Sequence, residues 1–425
     1  MAVDQSVRPT NRTVLAVASI ITAAFMGSVI ITPLYSLYQQ KFGFSEITLT
    51  LVYAVYVVGN VAALLLFGQI SDAVGRKRVA FPGLALAGGS ALLFLFAHGT
   101  LWLYAGRLVI GLAVGILSGT GTAWLAEHFG PDARSQATVT AATANLVGIA
   151  VGPLLGGLLA QYGPAPLELP FVAYLVILAV VAVAIVRPAE TRQRRVSRLR
   201  ELRVRPRIGV PRERLGSFTT PAVTGFVAFA LGGLYFALIP TIVIRELHRT
   251  NVAVGGLVVF ELGVIAAACI VLGRRLPPAT AMVAGLLALL PAVALVVVAQ
   301  AMQSMVLLLV ATALAGITLA LGYRGSLEVV NRIAPDDSRA EVVSSYFVAC
   351  FVGNSVPVIG LGVLTTLTTP LTASAVFAAT VGALSLAALG WHRRDLARTG
   401  QAEAQVRTSA GNPDLGFRAR GDQMS

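Results

Sequence analysis

Runs of about 20 predominantly apolar residues, enough to carry a helix across the hydrocarbon core of a bilayer, recur along the entire chain between short polar connectors. They lie near residues 13–38, 47–70, 79–97, 101–127, 137–161 and 167–187, and then near 218–244, 252–272, 277–299, 303–330, 341–364 and 371–391. The pattern predicts an all-α integral membrane protein of 12 transmembrane helices in two groups of six. The first run is too long for the core of a signal peptide and is followed by further spans, so it is read as a retained helix.

Composition agrees with this reading. Of 425 residues, 56% are hydrophobic and only 12% charged, which is far too apolar for a soluble domain. A net charge of +13 would suit a nucleic-acid partner, but most Lys and Arg sit in connectors rather than on one polar face, so no nucleic acid is expected. The charge is instead a topology signal. Connectors after even-numbered helices carry Arg76, Lys77 and Arg78, then Arg134, then an Arg-rich stretch, then Arg274 with Arg275, then Arg332 with Arg339. Those after odd-numbered helices carry little. Both termini are therefore expected on the cytoplasmic side of a plasma (inner) membrane. Cys269 and Cys350 lie inside apolar runs and predict neither a disulfide nor a metal site. No nucleophile is paired with a base, so neither an enzyme nor a bound cofactor is expected.

These runs divide the chain into an N-terminal six-helix bundle (1–187), a linker (188–217), a C-terminal six-helix bundle (218–394) and a polar tail (395–425) expected to be disordered. Residues 187–215, "RPAETRQRRVSRLRELRVRPRIGVPRERL", hold eleven Arg against three Glu. Two readings stand: a solvated linker that reinforces topology, or a segment lying on anionic inner-leaflet lipid, where each basic residue adds about 1 kcal/mol. The halves also echo each other. Gly75-Arg76-Lys77 returns as Gly273-Arg274-Arg275 at an offset of 198, while Pro131-Asp132 returns as Pro335-Asp336, and "GPLLGG" at 152–157 as "VPVIGL" at 356–361, both at an offset of 204. Such repeats describe two units that alternate around a shared cavity.

The connector after helix 2 reads "GQISDAVGRKR". It resembles the Gly-x-x-x-Asp-x-x-Gly-Arg-Arg/Lys-Arg/Lys signature of the major facilitator superfamily, matching at Gly68, Asp72, Gly75, Arg76, Lys77 and Arg78, with Ala73 where many members carry Arg. The resemblance extends to "RLVIG" at 107–111, to "GIAVGPLLGG" at 148–157, and to "PAETR" at 188–192. It implies the superfamily fold of two pseudo-symmetric six-helix bundles. It also implies that the connector latches the halves in an outward-open state, with Asp72 against the start of helix 11 near Glu341. On physical grounds the glycines allow a tight turn and Asp72 can face a positive helix N-terminus. The helix 5 stretch resembles the motif of proton-coupled drug antiporters, with a Pro153 kink and Gly148, Gly152, Gly156 and Gly157 along a seam where another helix can approach closely. Packing alone would account for such a seam equally well.

Proton coupling requires an ionisable group that meets both sides in turn. Glu261 lies about nine residues, or roughly 13 Å, from either end of helix 8. A carboxylate at that depth costs on the order of 3 kcal/mol on insertion scales. It can be a proton site, half of a structural pair, or a contact to a cationic substrate. Arg107, which the resemblance links to proton transfer, needs a counter-ion that the sequence does not identify, and it can equally be structural. Arg324 and Glu328, four apart on helix 10, can pair along the helix or charge the cavity. The family places helices 1, 4, 7 and 10 around that cavity, which makes Phe25, Tyr35 and Tyr235 candidate lining residues, although aromatic residues at this spacing also serve as packing.

The expectation is thus a proton-coupled secondary transporter that exports a small hydrophobic or amphipathic compound, acting as a monomer with protons, lipid and that compound as its partners. An uptake symporter or facilitator for a small metabolite such as an organic acid is the alternative. A non-transporting sensor or scaffold is a third, distinct class.

Overall fold

The structure, a computed structural model, describes residues 11–67, 71, 74–130, 133–188, 190, 209–335 and 338–410. Gly68, Asp72, Pro131-Asp132, Asp336, most of the Arg-rich linker and the last fifteen residues of the tail lie outside these.

Helices account for every predicted span. They are α1 (Asn11–Phe42), α2 (Glu46–Phe67), α3 (Arg76–Leu95), α4 (Thr100–Phe129), α5 (Arg134–Tyr162) and α6 (Leu169–Ala184). The second half holds α7 (Leu215–Ala237, resuming as Ile239–Arg245), α8 (Val252–Leu272), α9 (Pro278–Ala301), α10 (Met305–Ile333), α11 (Arg339–Leu367) and α12 (Pro370–Ala410). Eleven are long and apolar enough to cross a membrane, and α6 is a shorter apolar helix. The end of the molecule that carries Arg76, Lys77 and Arg274 is called the basic end below, and the opposite one the far end.

Four features depart from uninterrupted spans. In α1 the helix stops at Val29, passes through a 3-10 turn at Thr32–Leu34 and resumes as Tyr35–Phe42. Pro33 has no N–H to donate, and its ring crowds the carbonyl four residues back, so the helix breaks there. α7 breaks in the same way at Leu238, just before Pro240. In α10 a π-helical segment, Thr318–Gly322, sits between two α-helical stretches. Finally, α12 continues to Ala410, into the stretch expected to be a disordered tail. The Arg, Gln and Glu that make residues 395–410 polar are, like the Ala between them, good helix formers, so polarity there did not mean loss of helix.

The two halves pack alike. α1 lies on α4 and α5, α2 on α4, and α3 on α4 and α6; correspondingly, α7 lies on α10 and α11, α8 on α10, and α9 on α10 and α12. The bundles meet along two seams, α5 with α8 and α2 with α11.

Candidate functional site

At the basic end, Gly75 has φ +114°, a conformation that favours glycine, and a Cβ there would press on the Glu190 carboxylate. That carboxylate accepts from the backbone N–H groups of Arg76 (2.8 Å) and Lys77 (3.0 Å), so it caps the positive N-terminus of α3. The Arg76 guanidinium grips Glu127 of α4 (2.7 and 3.3 Å) and the Ser71 hydroxyl (2.6 Å), and Lys77 Nζ donates to the Val186 carbonyl (2.6 Å). Arg78 is exposed. The described part of the signature therefore binds the α2–α3 connector to α4 and to the chain just after α6. Within "PAETR" it is Glu190 that anchors the connector, a contact across more than 110 residues that the sequence does not show.

The glycines of α5 divide between two partners. A Cβ on Gly148, Gly152 or Gly156 would strike a carbonyl of α1, at Thr22, Met26 and Ile30 respectively, whereas Gly157 faces Val252, Ala253 and Gly256 of α8. The Pro153 carbonyl in turn lies against Gly256. One small-residue helix thus holds α1 within its own bundle and α8 across the bundle boundary. Small residues at both seams are what let the helix backbones come this close.

Arg107 of α4 is buried, and no acidic side chain reaches ion-pair distance of it among the described residues. Its guanidinium donates to the Ser28 carbonyl (2.5 Å) in the last turn of α1 before the break, and to the Tyr53 carbonyl (3.4 Å). Its charge lies over the rings of Tyr56 (4.8 Å) and Tyr53 (5.2 Å). A helix C-terminus and two aromatic faces supply the negative potential that a counter-ion would otherwise provide. The Tyr53 hydroxyl donates to Asn354 Oδ1 of α11 (3.1 Å), which carries the connection into the other bundle. Arg107 Nε and the fully buried Tyr35 hydroxyl have no hydrogen-bond partner.

Glu261 is half-buried on α8, with Oε2 buried and unpartnered, and no basic side chain pairs with it among the described residues. It looks away from the α5 seam, on the flank that also exposes Leu257 and Val264 one turn to either side. Tyr235 of α7 is fully buried and within electrostatic reach of it. Arg324 pairs with Glu328 (2.9 Å) and directs its other donors to the carbonyls of Gly273, Arg274 (3.2 Å) and Leu276 (3.1 Å), so its charge compensates the C-terminal end of α8. Phe25 is partly buried and packs against the main core.

A row of aromatic rings went unrecognised in the sequence. Phe229 of α7 meets Tyr323 of α10 (5.5 Å between centroids) and Phe351 of α11 (5.9 Å), and Phe351 stacks on Phe347 (6.4 Å). Tyr323 directly follows the π segment. Phe347 and Phe351 also wall a cavity of about 300 Å³ against Val61 and Leu64 of α2. The four-residue spacing of Phe347 and Phe351 puts both rings on one face of α11, but the links to Phe229 and Tyr323 are contacts between helices that spacing does not reveal.

The far end is closed. Arg245, at the end of α7, pairs with Glu46 at the start of α2 (2.5 Å); Asn251 Nδ2 donates to the Tyr162 hydroxyl (3.1 Å), and the Val252 N–H to Gln161 Oε1 (2.8 Å). The tails of α1 and α7 beyond their breaks touch each other behind this pair. Tyr35, Ser36, Gln39 and Thr241 are buried on those tails, and Tyr35 Oη, Ser36 Oγ, both amide atoms of Gln39 and Thr241 Oγ1 have no partner.

Known proteins resemble the chain as follows. The family model described as Major Facilitator Superfamily matches residues 17–358. The chain is 31% identical over 150 residues to an MFS-type transporter, EfpA, of Mycobacterium tuberculosis, a match covering 35% of this chain and 28% of that protein. It is 25% identical over 140 residues to the chloramphenicol resistance protein CraA of Acinetobacter baumannii, covering 33% and 34%. The chain thus spans about a third of the length of these relatives. Among solved structures, a bacterial homolog of the human lysosomal transporter Spinster, inward-facing and unoccupied, superposes with a TM-score of 0.69 at 16% identity, over 91% of this chain and 99% of that one.

Proposed function

Since the chain belongs to the Major Facilitator Superfamily, we propose that it is a secondary active transporter that exports a small hydrophobic or amphipathic compound in exchange for protons, by alternating access. The observation that carries this reading is the closed far end. A surface meant to stay buried does not leave hydroxyl and amide groups without partners, because each such group costs on the order of 1–3 kcal/mol. Tyr35, Ser36, Gln39 and Thr241 are buried that way in the tails of α1 and α7. They suit a surface that is wetted when the bundles part there. The two proline breaks give those tails a place to hinge.

Export is supported by the resemblance of the α5 stretch at 148–157 to the antiporter motif, and by the drug-resistance name of one relative. Glu261 is the proposed proton carrier, because an unpaired carboxylate within a span is expensive unless it has work to do. Arg107 is proposed to couple its state to the bundle contact through Tyr53 and Asn354. The connector from Gly68 to Arg78 is the proposed latch of the other state. Uptake of an organic acid is disfavoured by the way Arg107 and Arg324 direct their donors at protein carbonyls. The basic end is assigned to the cytoplasm of a plasma (inner) membrane, where the Arg-rich linker would meet anionic lipid. The working unit is proposed to be a monomer.

Inside-out vesicles acidified by respiration test this directly. With a pH-sensitive dye, addition of a transported hydrophobic compound is expected to collapse the gradient in vesicles that contain the protein and not in vesicles without it. Silence across a panel of neutral and amphipathic compounds, or a response confined to organic acids, overturns the reading.

A further inference from the structure

The crevice between α2 and α11 is not part of the site around Arg107 and Glu261, and its walls differ in kind. On the α11 side stand Phe347 and Phe351, on the α2 side Val61 and Leu64, and the single polar side chain among its lining residues is that of Ser344. No charged group lines it among the described residues. Its volume, about 300 Å³, falls at the small end of the range of ligand pockets. Above it, toward the far end, the Tyr53 to Asn354 bond closes the same α2–α11 seam, and the space opens where that contact ends.

The rings do more than fill a wall. Phe351 turns edge-on to Phe229 at 85°, and Phe229 in turn meets Tyr323, so the aromatic surface runs without interruption from the crevice onto α7 and α10. Aromatic faces and edges in this mixed orientation complement an inserted ring better than they complement a flexible alkyl chain, since stacked and edge-on ring contacts add to what area burial alone gives. From this we infer that the crevice is a binding subsite for the uncharged aromatic ring of a transported compound, and that Phe351 selects for the ring. The inference rests on the export reading for the identity of its occupant. It adds the substrate class: compounds with an uncharged arene.

The test is a binding experiment that needs neither a gradient nor transport, so it can fail while export stands. Ser344→Cys is introduced into the purified full chain with Cys269 replaced by Ser, and its alkylation by N-ethylmaleimide is timed. The neutral arene N-phenyl-1-naphthylamine is expected to slow alkylation at least threefold, with little effect from tetraphenylphosphonium or from dodecanol at equal concentration. Phe351→Leu, which keeps an apolar side chain and removes the ring, should weaken the protection about threefold to tenfold. If Phe351→Ala fails to fold, the Leu variant still decides. Equal protection by dodecanol would make the crevice an acyl-chain site, stronger protection by the cation would make it a cation site, and no protection would leave it empty of ligand; each of these overturns the proposal.

Discussion

Replacement of Arg107 by Met is expected to leave the protein folded while transport falls by about a hundredfold. The two halves of this expectation have different causes. A guanidinium buried without a carboxylate is costly, and an apolar side chain of similar length often replaces a buried charge at little or no loss of stability. What the Met variant loses is the pair of bonds to Ser28 and Tyr53 that hold α4 to the last turn of α1 before its break and to α2. The Ser28 carbonyl, in the last turn before the break, is left without a donor, which costs on the order of 1–3 kcal/mol in the state that depends on it, whereas the mid-helix Tyr53 carbonyl keeps its intrahelical bond. Lys cannot stand in, because a single ammonium does not span both carbonyls and stack on Tyr53 and Tyr56 together. Thermal unfolding and transport measured on the same preparation separate the two effects. Wild-type transport by the Met variant would reduce Arg107 to packing.

Glu261→Gln should abolish proton exchange and leave exchange-free movement of the compound down its own gradient. Gln keeps the shape and hydrogen-bonding capacity of the side chain but has no proton to give up near neutral pH. In acidified vesicles the dye signal is expected to drop to that of vesicles lacking the protein, while vesicles without a gradient still equilibrate the compound. If both signals are lost, Glu261 contacts the substrate or holds the helix. Should both survive, the proton travels elsewhere. The absence of any basic partner among the described residues favours loss of proton exchange alone over the behaviour of a structural pair.

Much of the fold was legible because apolar length and the placement of Arg are long-range signals that each span repeats. All predicted spans are helices, and their halves pack in matching pairs. The breaks in α1 and α7 were not read, although Pro33 and Pro240 stand in plain view: proline inside a membrane helix is common, and only the surrounding contacts decide whether it kinks or breaks. The partner of Arg107 was illegible for a different reason. Sequence offers carboxylates as counter-ions, whereas the structure uses backbone carbonyls and tyrosine faces, which carry no sequence signature. Arg324 could be paired with Glu328 from spacing alone, but its grip on the end of α8 is a tertiary contact between residues about 50 positions apart. The aromatic row from Tyr323 to Phe347 joins three helices, and only its Phe347–Phe351 segment has a period within one of them; the links to Phe229 and Tyr323 are tertiary.

The claim on which the rest depends is that the closed far end opens. Spin labels at Gln40 and Thr250, both exposed and in different bundles, report the separation there, with native Cys269 and Cys350 replaced. The ion pair between Glu46 and Arg245 is partly exposed, at 21% and 47%, so its loss in Glu46→Gln should shift the population by up to about fivefold. The account predicts two distance populations across the far end, with the longer one enriched by Glu46→Gln and altered by substrate. A single short distance in the wild type and the variant, with and without substrate, would contradict it.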